Sequence, residues 1–251
     1  SKANTITMQG GKENVGIYTV TTDDKLTTAA KIDIDNSDNS IGLFAKSSAD
    51  VTNTGEISAT GKSVKAIIAN GSKVDSTGKI TVNGTALSAT DGSVGLASMD
   101  GGKLTQSGNT DITVEGSASI GLYADGKYGI PAATATTLKV TGGTVTAKDG
   151  AFNTYAANSG TITLDGVTLN TEPKSLAFYT TDGGKINFTG AQTVANIKGG
   201  ADANSRGTAF LYKGAGATYT PFTPTAVGQW AKDNFKDATG NSTLNKLTLN
   251  M

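Results

Sequence analysis

Cysteine and histidine are both absent from the 251 residues of this chain. Their absence excludes disulfide bonds, thiolate metal sites, and cysteine-based or serine–histidine catalysis. It does not assign the protein to a reducing compartment, because a large chain that crosses a membrane unfolded also does well without cysteine. We expect no cofactor and no enzymatic activity.

An excess of charge of either sign is missing as well. Lys and Arg together number 21, and so do Asp and Glu, which gives a formal net charge of zero. Nucleic acids and anionic membranes attract basic surfaces, so we expect neither as a main partner. No run of about 18 apolar residues occurs, so we expect no membrane insertion of this segment.

A small residue, an aliphatic residue and an aromatic or aliphatic residue recur together along the chain. The clearest copies are "SIGLYADG" at 119–126, "SIGLFAKS" at 40–47 and "NVGIYTV" at 14–20. In all, the small position recurs eight times at intervals of 24 to 32 residues, at Gly16, Gly42, Ala66, Gly95, Gly121, Asn153, Ala177 and Ala209. A shortest step near 24 with occasional longer ones is typical of a structural repeat with loop insertions.

Each repeat also contains later aliphatic positions separated by turn residues. Val51 follows Gly42 by nine residues, and Ile57 follows after the turn sequence "NTG". The pattern predicts three short strands per repeat, divided by Gly, Asn, Asp and Ser turns. Three strands in about 24 residues form one coil of a parallel β-helix, so we predict an all-β solenoid over residues 1–251.

Equivalent positions of successive coils stack directly on one another in such a helix. We expect one internal ladder from Val51, Val74, Leu104, Ile162 and Ile186. A second is expected from the residues after the small position: Leu43, Ile67, Leu96, Leu122, Phe178 and Phe210. Because strand side chains alternate, the small position and the Tyr or Phe position should then face outward, the latter as a partly exposed aromatic stack. The reverse assignment remains open.

Two insertions interrupt the repeat, at 128–137 and at 219–240. The second carries Pro221, Pro224 and the single tryptophan, and its apolar spacing predicts a short amphipathic helix that ends near Gly240. Side loops held by a rigid scaffold, here 128–137, 199–207 and 219–240, are favourable places for recognition. The candidate partner contacts are therefore Tyr128, Tyr219, Phe222, Trp230 and Phe235. Two alternatives stay open: recognition by the long polar strand faces, and a segment that is only a stalk while binding lies elsewhere in the parent chain.

These motifs, the Gly/Thr/Asn/Ala-rich coils and the lack of cysteine together resemble the passenger domains of large type V, monomeric autotransporters of Gram-negative bacteria. The resemblance covers about Thr5 to Tyr212. It implies a right-handed parallel β-helix, secreted and displayed on the cell surface by a parent chain anchored in the outer membrane. It also implies a virulence-associated adhesin that attaches to a protein or glycan of host cells or other bacteria. The chain is then a fragment, whose signal peptide and translocating barrel lie elsewhere.

Two alternatives share this fold. One is a carbohydrate-active lyase or hydrolase, which needs clustered carboxylates. The glutamates, Glu13, Glu56, Glu115 and Glu172, are assigned to different phases of the repeat, whereas Asp111 and Asp165 could approach each other. The other alternative is a toxin passenger of the vacuolating type, which the lack of an apolar run disfavours.

Metal binding has one candidate segment. "DIDNSDNS" begins like a calcium loop at Asp33, Asp35 and Ser37, but Asp38 and Phe44 stand where that loop requires Gly and Glu. The segment is therefore interpreted as a turn, and no metal is expected.

Overall fold

The computed structural model of this protein consists of three parallel sheets, which form the three sides of one helical coil. The structure describes residues 4–20, 25–126, 135–200, 206–213 and 242–251. The chain visits the sheets in a fixed order and makes about seven turns. The predicted parallel β-helix is confirmed.

The strands are short because each spans one side of a coil. Sheet 1 contains β1 (Thr5–Gln9), β4 (Lys31–Asp35), β7 (Ile57–Lys62), β10 (Ile80–Thr85), β13 (Thr110–Glu115), β16 (Thr144–Lys148), β19 (Thr168–Thr171), β22 (Thr193–Ile197) and β24 (Leu247–Asn250). Sheet 2 contains β2 (Val15–Thr19), β5 (Ile41–Lys46), β8 (Lys65–Asn70), β11 (Val94–Met99), β14 (Ile120–Asp125), β17 (Phe152–Ala157), β20 (Leu176–Thr181) and β23 (Thr208–Lys213). Sheet 3 contains β3 (Leu26–Thr28), β6 (Asp50–Asn53), β9 (Lys73–Ser76), β12 (Lys103–Gln106), β15 (Thr137–Thr141), β18 (Thr161–Asp165) and β21 (Lys185–Thr189).

All eight copies of the repeated motif lie in sheet 2. Leu43 pairs with Ile67, and the same register continues to Leu96 and Leu122, each of which is completely buried. The ladder predicted in sheet 3 is likewise present: Val51 pairs with Val74 and Val74 with Leu104. Stacking at about 4.8 Å per coil therefore builds the core from columns of aliphatic side chains.

In the inner coils the small position of the motif is buried, so the prediction that it faces outward is wrong, whereas the aromatic position does face outward as predicted. A Cβ added at Gly42 would lie 2.7 Å from the Ala66 carbonyl oxygen and 2.9 Å from Ile57 Cγ2 of sheet 1. The strand therefore bends here, and two successive residues point to the interior. Only Gly, Ala or a small polar residue fits where sheet 2 leaves the corner.

Asn153 is the polar occupant of this small position. Its amide donates to the carbonyl oxygens of Val145 at 2.8 Å and Asn170 at 3.1 Å, and Thr171 Oγ1 donates to its Oδ1 at 2.7 Å. A buried amide with partners for both of its polar atoms is tolerated in a core.

The only helix among the described residues is a single 3-10 turn, Leu244–Lys246, next to β21. The amphipathic helix predicted from Val227 to Phe235 lies outside the described residues. So do residues 128–134 of the first predicted insertion and the whole of 219–240. Thr137, assigned to that first insertion, is the first residue of β15.

Candidate functional site

The outer sides of sheets 1 and 3 are polar. Sheet 1 presents mainly Thr, Asn, Asp and Lys side chains, and Asn196 donates to Asn170 Oδ1 at 2.9 Å in an amide column. On sheet 3, Lys73 lies 2.8 Å from Asp75 and 3.8 Å from Asp50. Such faces are well solvated and present little apolar surface to a partner.

Sheet 2 has a mostly apolar outer side, built from two outward columns. The first column runs through Val15, Ile41, Lys65, Val94, Ile120, Phe152, Leu176 and Thr208. The second runs through Tyr18, Phe44, Ile68, Ala97, Tyr123, Tyr155, Tyr179 and Leu211. The predicted aromatic stack is therefore present, although Ile68 and Ala97 divide it into two parts.

Three tyrosines form the longer part of the stack. The ring centroids of Tyr155 and Tyr179 are 4.5 Å apart, and those of Tyr123 and Tyr155 are 5.3 Å apart. Tyr123 donates its hydroxyl to Asp125 Oδ2 at 2.6 Å, while Asn158 donates to the other oxygen of that carboxylate at 2.7 Å. Burial, and then the hydrogen bond to Asp125, raise the pKa of Tyr123 well above its usual value near 10.

The connection from β10 to β11, residues Ala86–Ser93, borders this apolar face. At its foot, Ser63 donates its hydroxyl to Asp91 Oδ1. Lys65 donates to the Ser63 carbonyl oxygen at 2.8 Å and to its Oγ at 2.6 Å, and its Nζ lies 3.6 Å from Asp91. Burial lowers the pKa of Lys65, and the attraction of Asp91 opposes that shift.

A serine beside a lysine raises the question of nucleophilic chemistry. Here the Ser63 side chain has no exposed surface, its proton is directed at a carboxylate, and Lys65 acts as donor to the oxygen that would have to attack. The arrangement satisfies buried polar groups and leaves no place for a substrate atom beside Ser63 Oγ. We interpret the cluster as structural.

The carboxylates of the described residues form no group of three that could hold a metal ion. Asp33 and Asp35 point outward from sheet 1, whereas Ser37 is buried in the following turn, where its Oγ lies 2.8 Å from Ser40 Oγ. The interpretation of the segment as a turn is therefore right only for its second half, because Asp33 and Asp35 belong to β4 and the turn begins after them.

The acidic residues considered for glycoside chemistry are also separated. Asp111 lies in sheet 1 and Asp165 in sheet 3. Glu115 and Glu172 share one edge of sheet 1, so their assignment to different phases was wrong, but Glu115 pairs in register with Lys148 of the intervening coil. Glu172 in turn accepts a 2.6 Å bond from Lys198.

The five aromatic residues predicted as partner contacts, Tyr128, Tyr219, Phe222, Trp230 and Phe235, all lie outside the described residues. Within the part of the chain that the structure describes, sequence reasoning missed two features. One is the Ser63–Lys65–Asp91 cluster, whose only sequence signal is Lys65 at an otherwise mostly aliphatic position.

The other missed feature is a serine column at the corner where sheet 1 leads into sheet 2. The Oγ of Ser93 accepts the backbone N–H of Val64 at 3.1 Å, and Ser119 Oγ accepts that of Ser93 at 3.1 Å. This explains why serine so often precedes the motif, as in "SIGLYADG": its hydroxyl joins one coil to the preceding one.

No family model, no curated protein and no solved structure matches this chain. The class that the molecule itself defines is the parallel β-helix with one apolar and two polar outer sides. Among the described residues, no helix has the length and apolar character needed to cross a membrane.

Proposed function

We propose that this chain is a β-helical segment of a surface-displayed autotransporter adhesin that attaches to host cells or to other bacteria. The observation that carries the proposal is the outer side of sheet 2, where apolar and aromatic side chains form two columns on a rigid scaffold. Most of these side chains are partly exposed, and contiguous apolar surface of this kind is typical of an interaction site. Aromatic side chains contribute much of the binding energy in such sites.

Charge supports the same choice of surface. Between β11 and β20 the one charged side chain in the outward columns and at the ends of these strands is Asp125, and both of its oxygens already accept hydrogen bonds. A partner therefore meets a face with a single charge, which is already hydrogen-bonded. Recognition there depends on shape and apolar contact rather than on ion pairs, and we expect it to be weakly dependent on salt.

The test is attachment of cells to beads that carry the purified chain. The double variant Ile68→Lys, Ile120→Lys places two charges on the outer side of sheet 2. The matched control, Asn83→Lys with Thr113→Lys, places the same charges on the outer side of sheet 1. We expect the first variant to lose most attachment and the control to keep it. Equal attachment by both variants would show that sheet 2 is not the contact surface, and no attachment by the unmodified chain would reject the adhesin proposal.

A further inference from the structure

Residues 86–93 form the longest connection between strands that consists wholly of described residues. We call its part Ala86–Gly92 the excursion, and its exposed residues Leu87–Thr90 the tip. Leu87 is 41% exposed although it is a large apolar residue. Loops of this kind are usually among the least stable parts of a protein.

The excursion is nevertheless closed at its base. The Leu87 N–H donates to the Asp91 carbonyl oxygen at 2.8 Å, and the Ala86 N–H donates to the Glu115 carbonyl oxygen of the next coil at 2.8 Å. Asp91 thus holds the tip through its backbone. Its side chain, which accepts the Ser63 hydroxyl, holds the whole excursion to the preceding coil.

Lys65 departs from the mostly apolar character of its column. It is the only charged residue among the eight in the first outward column of sheet 2, and it stands between Ile41 and Val94. Its side chain is only 21% exposed, so the ammonium group is held partly away from water. A buried charge is costly unless it is paired and hydrogen-bonded, and here Ser63 and Asp91 meet that requirement.

The backbone conformation of Ser63 belongs to the repeat, since Asn39 and Lys174 at the same corner of other coils also have a positive φ; its side-chain contacts are particular to this coil. Its φ of 52° lies in the left-handed region, which is unfavourable for a non-glycine residue. Here the hydroxyl reaches Asp91 and the carbonyl oxygen accepts from Lys65.

We infer that Ser63, Lys65 and Asp91 form a latch that fixes the excursion in one conformation and presents its tip as a pre-ordered contact element. A loop that is ordered before binding avoids the entropic cost of ordering it on contact. The latch stands on its own geometry. The statement that the tip touches a cell-surface partner rests on the proposed adhesin function.

Hydrogen exchange of the full chain, measured by mass spectrometry, tests the latch. In Lys65→Met the apolar column is continued and the fold should persist, but Asp91 loses its ammonium partner. Since a hydrogen bond to a charged group contributes about 1.5–3 kcal/mol, exchange of the Leu87 and Ser88 amides should accelerate about tenfold or more. Asp91→Asn should give the same direction of change.

The matched control is Lys73→Met, which removes another lysine that pairs with two aspartates but lies beside no excursion. Exchange at Leu87 and Ser88 should then stay as in the unmodified chain. Unchanged exchange in both Lys65→Met and Asp91→Asn, with the rest of the chain protected, would overturn the latch.

A measurement of cell attachment distinguishes the order of the excursion, which the latch provides, from contact of the tip with a partner. Leu87→Ser keeps Ser63, Lys65 and Asp91, so its exchange pattern should be unchanged while attachment falls at least severalfold. Full attachment by Leu87→Ser would overturn the contact role of the tip and leave the exchange result standing. If the unmodified chain does not attach to cells, the adhesin proposal fails, whereas the latch is still decided by exchange alone.

Discussion

The first four and the last three strands of sheet 3 carry different kinds of side chain at the same inward position. This second inward column is polar at Thr28, Asn53, Ser76 and Gln106, and apolar at Val140, Leu164 and Phe188. The register is continuous across the change, since Gln106 pairs with Val140. The backbone therefore follows the same path in both parts, but different interactions stabilise the turn after the strand.

In the first part, side chains support the turn from sheet 3 to sheet 1. The Asn53 amide donates to the Gly55 carbonyl oxygen at 3.0 Å and to Ser76 Oγ at 3.2 Å, and the Gln106 amide donates to the Gly78 carbonyl oxygen at 2.9 Å. The turn glycines pack directly on the turn of the preceding coil, because a Cβ at Gly78 would overlap the Gly55 carbonyl oxygen.

In the second part, glycine conformation makes the turn. Gly142, Gly166 and Gly190 follow the strands directly and have φ values of 65°, 66° and 57°. Glycine adopts this left-handed conformation without steric cost. The inward position is then no longer needed as a hydrogen-bond donor, and it can contribute apolar area to the core. At this inward position of sheet 3, a buried polar residue is therefore a consequence of the turn beside it.

The largest loss of stability is expected when a polar residue, as found in the first four coils, is placed at the inward position of the last three coils. Leu164→Asn removes a completely buried aliphatic side chain and buries an amide beside a turn that offers it no matching carbonyl. The free energy of unfolding should fall by roughly 3–5 kcal/mol. Urea denaturation measures it, with Thr163→Asn on the outward side of the same strand as the control. A loss below about 1 kcal/mol would contradict the idea that the two turns differ in what they accept.

The next effect distinguishes the two kinds of turn glycine. Gly78→Ala should cost roughly 3 kcal/mol through overlap with backbone, whereas Gly166→Ala should cost about 1–2 kcal/mol through its left-handed φ. Asparagine tolerates that φ, so Gly166→Asn should recover part of the loss, and Gly78→Asn should recover none. Thermal unfolding of the four variants checks the order. Recovery at position 78 would mean that space there is not limiting.

A smaller loss is expected when the first-part support is removed without replacement. Asn53→Ala deletes the donor to the Gly55 carbonyl oxygen and leaves Ser76 Oγ without one of its partners. The expected cost is about 1–3 kcal/mol in urea denaturation. Thr54→Ala in the same turn removes only an exposed 3.3 Å hydrogen bond to the Thr28 carbonyl oxygen and should cost less than about 0.5 kcal/mol. Equal effects of the two substitutions would argue against side-chain support of this turn.

Much of this architecture could be predicted from the sequence because a solenoid repeats its pattern. The coil length and the buried positions of Leu43 and Val51 follow from aliphatic residues that recur in register. The inward bend at the small position could not be predicted, because alternation within a strand places Gly42 and Leu43 on opposite sides. The bend depends on how sheet 2 meets sheet 1, which is a tertiary contact.

The site was less predictable for a related reason. Sequence reasoning favoured the places where the repeat breaks, and those aromatic residues lie outside the described part of the chain. The latch joins Ser63 to Asp91 across 28 residues, and neither residue is unusual in its own segment. Only the three-dimensional stacking of coils brings their side chains together, although a lysine in an apolar column was a signal available in the sequence.

The outer side of sheet 2 shows the same division along the chain, and its effect should be the smallest. In the later coils Tyr123 lies in a stack and donates to Asp125, whereas Tyr18 in the first coil is 55% exposed. Because the folded state raises the pKa of Tyr123, it keeps this proton above pH 10 while the unfolded chain releases it. The free energy of unfolding should therefore fall as pH rises above about 10.

Tyr123→Phe removes this contribution, so its stability should decline less steeply above about pH 10, after a loss of about 1 kcal/mol at neutral pH from the missing hydrogen bond. Lys65, whose lowered pKa acts in the opposite direction just below pH 10.5, is present in both proteins, so the difference between them isolates the tyrosine. Urea denaturation across this alkaline range, with Tyr18→Phe as the control, makes the measurement. Parallel pH profiles for the unmodified chain and Tyr123→Phe would show that the stacked tyrosine ionises as readily in the folded chain as in the unfolded one.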